Sequence, residues 1–243
     1  MRLLLVALLL LAMPALAQVD ARVAFLTKQL EKGKDPRARS QAALGLGVTE
    51  EPEALQPLCT GLEDVSELVR ASAAKGLATL REVSAIDCLK KHKETDAATL
   101  VAIREAIKAL EDFKARPPHL YVDFEGVKDK TGSLPAELVK ITEERLKRKL
   151  ILTGALLAPP KEPKKAAQGV LKKYGISGYR LSAQIQNTES GGLRIALVCL
   201  SYPGLALLGQ VEVQATGAAP ADLLKALVPK AIQEVAQTFE WST

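Results

Sequence analysis

Two periodicities divide the chain. Up to about residue 114, apolar residues recur at helical spacing in short blocks: Phe25, Leu26 and Leu30; Leu55, Leu58 and Leu62; Ile86 and Leu89. Each block precedes a second apolar segment that reads Ala38-Arg39-Ser40-Gln41-Ala42-Ala43-Leu44-Gly45-Leu46 in one copy and Val69-Arg70-Ala71-Ser72-Ala73-Ala74-Lys75-Gly76-Leu77 in the next. Arg, both Ala, Gly and Leu coincide. A degenerate third copy, Ala106-Ile107-Lys108-Ala109-Leu110, aligns Ala106 with Ala73. Acidic residues, Asp35, Asp64 and Asp96, mark the turn between the helices of each pair.

Past Arg116-Pro117-Pro118 the period changes to two. Leu120, Val122 and Phe124 alternate with Tyr121, Asp123 and Glu125, the pattern of a strand with one buried face. Ser133-Leu134-Pro135 opens a helix running to about Lys149. Ile151 to Ala158 is an apolar run that predicts a buried strand, and Pro163 to Lys173 a second helix closed by Gly175. Tyr179 to Gln186 alternates again. Gly191-Gly192 and Pro203-Gly204 turn the chain into two further strands, Leu193–Ser201 and Leu205–Ala215. A last helix, Ala221 to Phe239, carries Pro229, which predicts a kink. The expected order is β-α-β-α-β-β-β-α, a mixed, mostly antiparallel sheet with its helices on one face.

A repeat of about 30 residues with two helices per unit means a stacked solenoid, because a lone helix pair cannot cover its own apolar stripe. Ala-Ala and Gly at one phase allow close helix approach. The Arg is placed to bind the acidic turn residue or the helix carboxyl ends of a neighbouring copy. The D…(V/A)R-x-x-A-A-x-G-L pattern resembles the short HEAT-like repeats of many bacterial proteins, the type first named from phycobilin lyases. The resemblance implies an α-α superhelix of three repeats and a protein-binding role. The variant that holds iron uses His-Glu pairs, whereas the one His of this region, His92, stands between lysines.

Val122-Asp123-Phe124, Lys130-Thr131-Gly132 and Lys173-Tyr174-Gly175-Ile176-Ser177-Gly178-Tyr179, with the element order, resemble the amino-terminal domain of TolB and the related CsgG and LpoB-type envelope domains. The acidic dipeptide expected before the first glycine is replaced by Lys128-Asp129-Lys130. The resemblance implies a docking domain with neither cofactor nor catalytic residues. The division expected is thus a signal peptide at 1–17, HEAT-like repeats at 18–116, a proline linker at 117–119 and an α/β envelope-type domain at 120–243.

The signal-peptide reading rests on Met1-Arg2, the apolar run Leu3–Ala12 and the small-residue end Met13-Pro14-Ala15-Leu16-Ala17, with cleavage expected after Ala17. No later stretch is apolar and long enough to span a membrane as a helix. A periplasmic or secreted protein is expected. Aromatics make up only 4% of the 243 residues, so Leu, Ala and Val must fill the core. Cys59, Cys88 and Cys199 are too few for a disulfide framework. Stacking would bring Cys59 near Cys88, but burial as free thiols is the expectation.

No nucleophile elbow, phosphate loop or zinc pair is present. The remaining candidate chemistry is charge. Residues 128–180 hold 13 basic and 5 acidic side chains. Arg145, Lys147, Arg148, Lys149, Lys164, Lys165, Lys172 and Lys173 form the candidate partner-binding set, suited to an anionic surface or polymer; ordinary solvated helix faces are the plainer explanation. Nucleic acid is not expected, since no aromatics interleave the basic run. The reading that follows is a non-catalytic exported adaptor or scaffold binding protein partners in the cell envelope. The alternatives are a glycan-processing hydrolase using Asp123 and Glu125, or a purely structural periplasmic protein.

Overall fold

The computed structural model describes residues 20–241; the signal segment and its cleavage site lie outside them. The chain forms two compact units, one ending at Lys114 and the other starting at Ala115.

The first unit is built of paired helices: α1 (Ala21–Lys32) with α2 (Pro36–Gly47), α3 (Leu55–Gly61) with α4 (Glu67–Leu80), and α5 (Ala85–Lys91) with α6 (Ala97–Ala115). Aspartates start three of them. Asp20, Asp35 and Asp96 accept backbone N–H bonds from the first turns of α1, α2 and α6, satisfying donors a helix start leaves free. One core runs through all three pairs, from Val23 and Leu30 through Leu46, Leu58, Leu77 and Leu89 to Leu110. Phe25, expected inside, is 60% exposed; Val23 takes the inward position on α1.

Small residues set the spacing between copies. A Cβ on Gly47 would meet the Gly76 carbonyl oxygen at 2.6 Å, and one on Gly76 would meet the Ala43 carbonyl oxygen at 2.7 Å and Leu58 at 2.8 Å. Helices α2 and α4 therefore touch backbone to backbone. Gly45, at the repeat position of Gly76, faces only the flexible end of Leu26. Gly76→Ala is expected to destabilise the unit by about 1–3 kcal/mol through overpacking, even though alanine gains about 1 kcal/mol in helix propensity. A methyl group on Gly169 in the second unit would meet nothing within 4 Å, so Gly169→Ala should stabilise by up to about 1 kcal/mol. Urea titration of both variants checks the opposite signs.

Burial also corrects the third copy. The buried Thr99, Ala102, Ile103, Ala106 and Leu110 of α6 fall 30 residues after the buried Val69, Ser72, Ala73, Gly76 and Leu80 of α4. Ala106 thus occupies the place of Gly76, not of Ala73.

The second unit is a five-stranded sheet in the order β2-β1-β3-β4-β5. Strand β1 (Leu120–Asp129) runs parallel to β2 (Ala155–Leu157) and to β3 (Ser177–Asn187), and β3, β4 (Leu193–Ser201) and β5 (Leu207–Ala215) form an antiparallel meander. A bulge between Phe124 and Gly126 leaves Glu125 unpaired and returns Val127 to the core side. Helix α7 (Ala136–Leu152) outruns its expected end and consumes the start of the apolar run 151–158, so β2 keeps three residues; Gly154, at φ +90°, makes the turn. Helix α9 (Pro220–Thr238) continues through Pro229.

The helices do not share one face. Leu146 and Leu150 of α7 and Leu224, Leu227, Ala231 and Val235 of α9 pack with Leu120, Val122 and Leu181. Ala167 of α8 (Lys164–Tyr174) packs with Tyr121 and Tyr202. Tyr121 points opposite to its neighbours Leu120 and Val122, because successive side chains of a strand alternate. The sheet therefore stands between α7 and α8.

Candidate functional site

The repeat arginines form a ladder. Arg39 of α2 donates from Nε and Nη2 to the two carboxylate oxygens of Asp64, both at 2.8 Å, and from Nη1 to the Gly33 carbonyl at 3.0 Å. Arg70 of α4 repeats the arrangement one copy on: Nε and Nη2 donate to Glu94 at 2.6 and 3.0 Å, and Nη1 to the Asp64 carbonyl at 3.0 Å. Each guanidinium thus ties the turn of its own copy to the acidic residue of the next. Paired bonds to a carboxylate are geometrically specific and charge-assisted.

The third rung differs from expectation. Asp96 caps α6, and Glu94 takes the arginine. Glu94 also accepts the N–H groups of Thr95 and Asp96 and lies 3.3 Å from His92 Nε2, while His92 Nδ1 lies 2.8 Å from Glu63. The hydrogen bond from Arg70 is the main reason the Glu94 carboxyl sits far below the usual carboxylate range. Burial pushes Asp64 upward, but its bonds to Arg39 and the Ser66 N–H outweigh that and hold it low. The sequence signal for Glu94 is its position, 30 residues after Asp64.

Cys59 and Cys88 are bonded to each other, joining α3 to α5 with 5.9 Å between Cα atoms. The expectation of two free thiols is wrong, because stacking sets the two helices side by side at disulfide distance. Cys199 is a free thiol in the second core, where burial pushes it up to about 11.

In the second unit the eight basic candidates separate. Arg145, Lys147, Arg148 and Lys149 are half-buried along α7; Lys164, Lys165, Lys172 and Lys173 are exposed on α8, across the sheet. Lys147 donates to Glu143 at 2.5 Å, and Glu143 also accepts the Val127 N–H, so this pair braces the β1 bulge. Lys173 lies 4.9 Å from the Tyr174 ring centre. The set read as one patch is two, and its solvent-facing half belongs to α8.

Asp123 and Glu125 share one cation. Arg180 donates to Asp123 from Nε at 2.7 Å and reaches Glu125 at 3.3 Å. Beside them the Tyr121 and Tyr202 hydroxyls both donate to Glu162, at 2.9 and 3.3 Å, pinning the segment that leads into α8. Burial raises both tyrosine hydroxyls above their ordinary range. Among the described residues no group of His, Cys, Asp and Glu is arranged to hold a metal ion, and no helix is long and apolar enough to cross a membrane.

Residues 23–114 match the family model for HEAT repeats. The first unit is a HEAT-repeat module, a class whose stacked helices generally mediate protein–protein interaction. No curated protein matches the chain. Among solved structures, a neuraminyllactose-binding hemagglutinin homologue from Helicobacter pylori is similar at 12% identity, over 53% of this chain and 89% of that one, with a TM-score of 0.30. That score is too low to relate the two folds.

Proposed function

We propose that the protein is an exported, non-catalytic adaptor that holds a protein partner on its HEAT repeats in the bacterial cell envelope. The observation that carries the binding role is the stacked repeat module with its arginine ladder, a rigid surface in which all three copies are tied together. Export is supported by the Cys59–Cys88 bond, since structural disulfides persist in oxidising compartments and are rare in the cytosol, and by the leader-like residues 1–17. The α/β unit is the docking domain in this scheme. The exposed lysines of α8 add attraction for an anionic surface or polymer of the envelope. The ion pairs of Arg180 with Asp123 and Glu125 favour a structural role for these carboxylates over the hydrolase reading.

Cell fractionation with mass spectrometry of the recovered chain tests the export half. The expected product is periplasmic or secreted and starts at Gln18 with Cys59 and Cys88 linked. A cytosolic product with the leader intact and both thiols free refutes it. Reversal of the α8 charges (Lys164→Glu, Lys165→Glu, Lys172→Glu and Lys173→Glu together) is expected to abolish low-salt binding to vesicles containing anionic lipid and leave the fold intact. Charge reversal of Lys147 should instead loosen the bulge at Gly126.

A further inference from the structure

The two edges of the sheet are built differently. Strand β2 has three residues and runs into Pro159-Pro160, so it offers little to an incoming strand. Strand β5 has nine residues, Leu207-Leu208-Gly209-Gln210-Val211-Glu212-Val213-Gln214-Ala215, with no proline, no lysine and a single charge. Among the described residues its ladder partner is β4 alone. The Ala215 carbonyl faces Gly192, which precedes β4, so the alternate residues Gln214, Glu212 and Gln210 turn their backbone groups outward. The edge begins with Leu207 and Leu208, exposed by 70% and 46%. The guards that soluble proteins place on an open edge are present at β2; at β5 the register shift near Leu208 leaves the run from Gly209 to Ala215 regular.

We propose that this edge pairs with the same edge of a second copy, antiparallel and centred on Val211, joining the two sheets into one. The strand is complementary to itself in this register. All nine residues overlap, Leu207 lies opposite Ala215, and Gln210 lies opposite Glu212 twice, once on each side of the centre. The Gln210 amide already donates to Glu212 of its own strand at 2.6 Å, and Arg194 of β4 donates to Glu212 at 2.9 Å, so each carboxylate enters the interface with its charge answered. Centring the pair on Glu212 would set two like charges face to face, which is unfavourable. A foreign strand has no reason to match this register; a second copy does. The inference does not depend on the adaptor role, since it concerns the other unit.

Sedimentation of the full chain is expected to give twice the mass of one chain. Gln210→Pro removes an outward N–H without touching the β4 ladder and is expected to give single chains with unchanged circular dichroism. Separate Gln210→Cys and Glu212→Cys chains, mixed and oxidised, are expected to form a mixed disulfide dimer, with far less from either alone. Cys199 is buried and the other two cysteines are bonded, so no native thiol competes. A wild-type chain that stays single at every concentration overturns the proposal. So does a dimer that survives Gln210→Pro in folded protein, or failure of the mixed pair to cross-link, which also decides the matter if the proline variant does not fold.

Discussion

Replacing Cys59 and Cys88 together by serine is expected to lower the stability of the first unit by about 3–4 kcal/mol. The bond closes a loop across a sequence separation of 29, and the chain-entropy cost it removes from the unfolded state scales with that length. The bond joins the second copy to the third, and the third is the degenerate one, so the loss should fall on α5 and α6 first. The two units can be followed separately. The single Trp of the chain, Trp241, lies in the core of the second unit, so its fluorescence reports that unit alone, while the helical circular dichroism reports both units, with α1 to α6 supplying the larger share. The serine variant, or the wild type under reductant, should move the helical transition to lower urea and leave the fluorescence transition in place. Equal transitions with and without the bond would show that stacking alone secures the third copy.

Arg70→Ala is expected to cost about 3 kcal/mol in the same assay. The Glu94 side chain is only 3% exposed, and removing the guanidinium leaves its charge to the Thr95 and Asp96 N–H groups and His92, which is more damaging than losing a surface ion pair. The Asp64 carbonyl loses a donor in the same step. The pH dependence follows from the sign of the shifts. Glu94 and Asp64 titrate lower in the folded chain than in the unfolded one, so the unfolded state takes up protons first as pH falls. Their contribution is whole at neutral pH, begins to fade near the ordinary carboxylate range at about pH 4, and is lost as pH drops through the folded values. The wild-type helical transition should therefore weaken steeply below about pH 4. Glu94→Gln should flatten that slope, since it removes the most depressed carboxyl of the ladder. An Arg70→Ala chain with the acid profile of the wild type would contradict the ladder.

Much of the first unit is legible in the residues because its chemistry is local. Arg, Ala-Ala and Gly at one phase state both the helix and what it packs against, and Gly76 does meet the backbone of α2. The third copy is easily misaligned because Ala106 and Ala109 look alike in a sequence, whereas only one of them is buried. The disulfide is hidden for a related reason: two thiols on apolar faces give no sign of bonding until stacking sets their distance. In the second unit the apolar run 151–158 suits a helix end as well as a strand, and α7 claims its start by continuing its own hydrogen bonds to Leu152. The basic candidates look contiguous because they are close in sequence. Which sheet face a helix covers is decided by the crossover, and it sends α8 to the side of Tyr121. Arg180 gives no sequence sign of being the partner of Asp123, because the two are 57 residues apart and meet only through the parallel pairing of β1 with β3.

The most direct test of the adaptor reading is photo-crosslinking in intact cells from probes placed singly on the exposed positions of the repeats. Gln41 of α2 and Lys75 of α4 represent one row of helices, and Lys28 of α1 and Lys90 of α5 the other. A protein held on one face of the repeats predicts a defined adduct from one row, absent from the other and lost when Gly76→Val forces α2 and α4 apart. Adducts from neither row, or adducts that persist after the copies are unstacked, would contradict it.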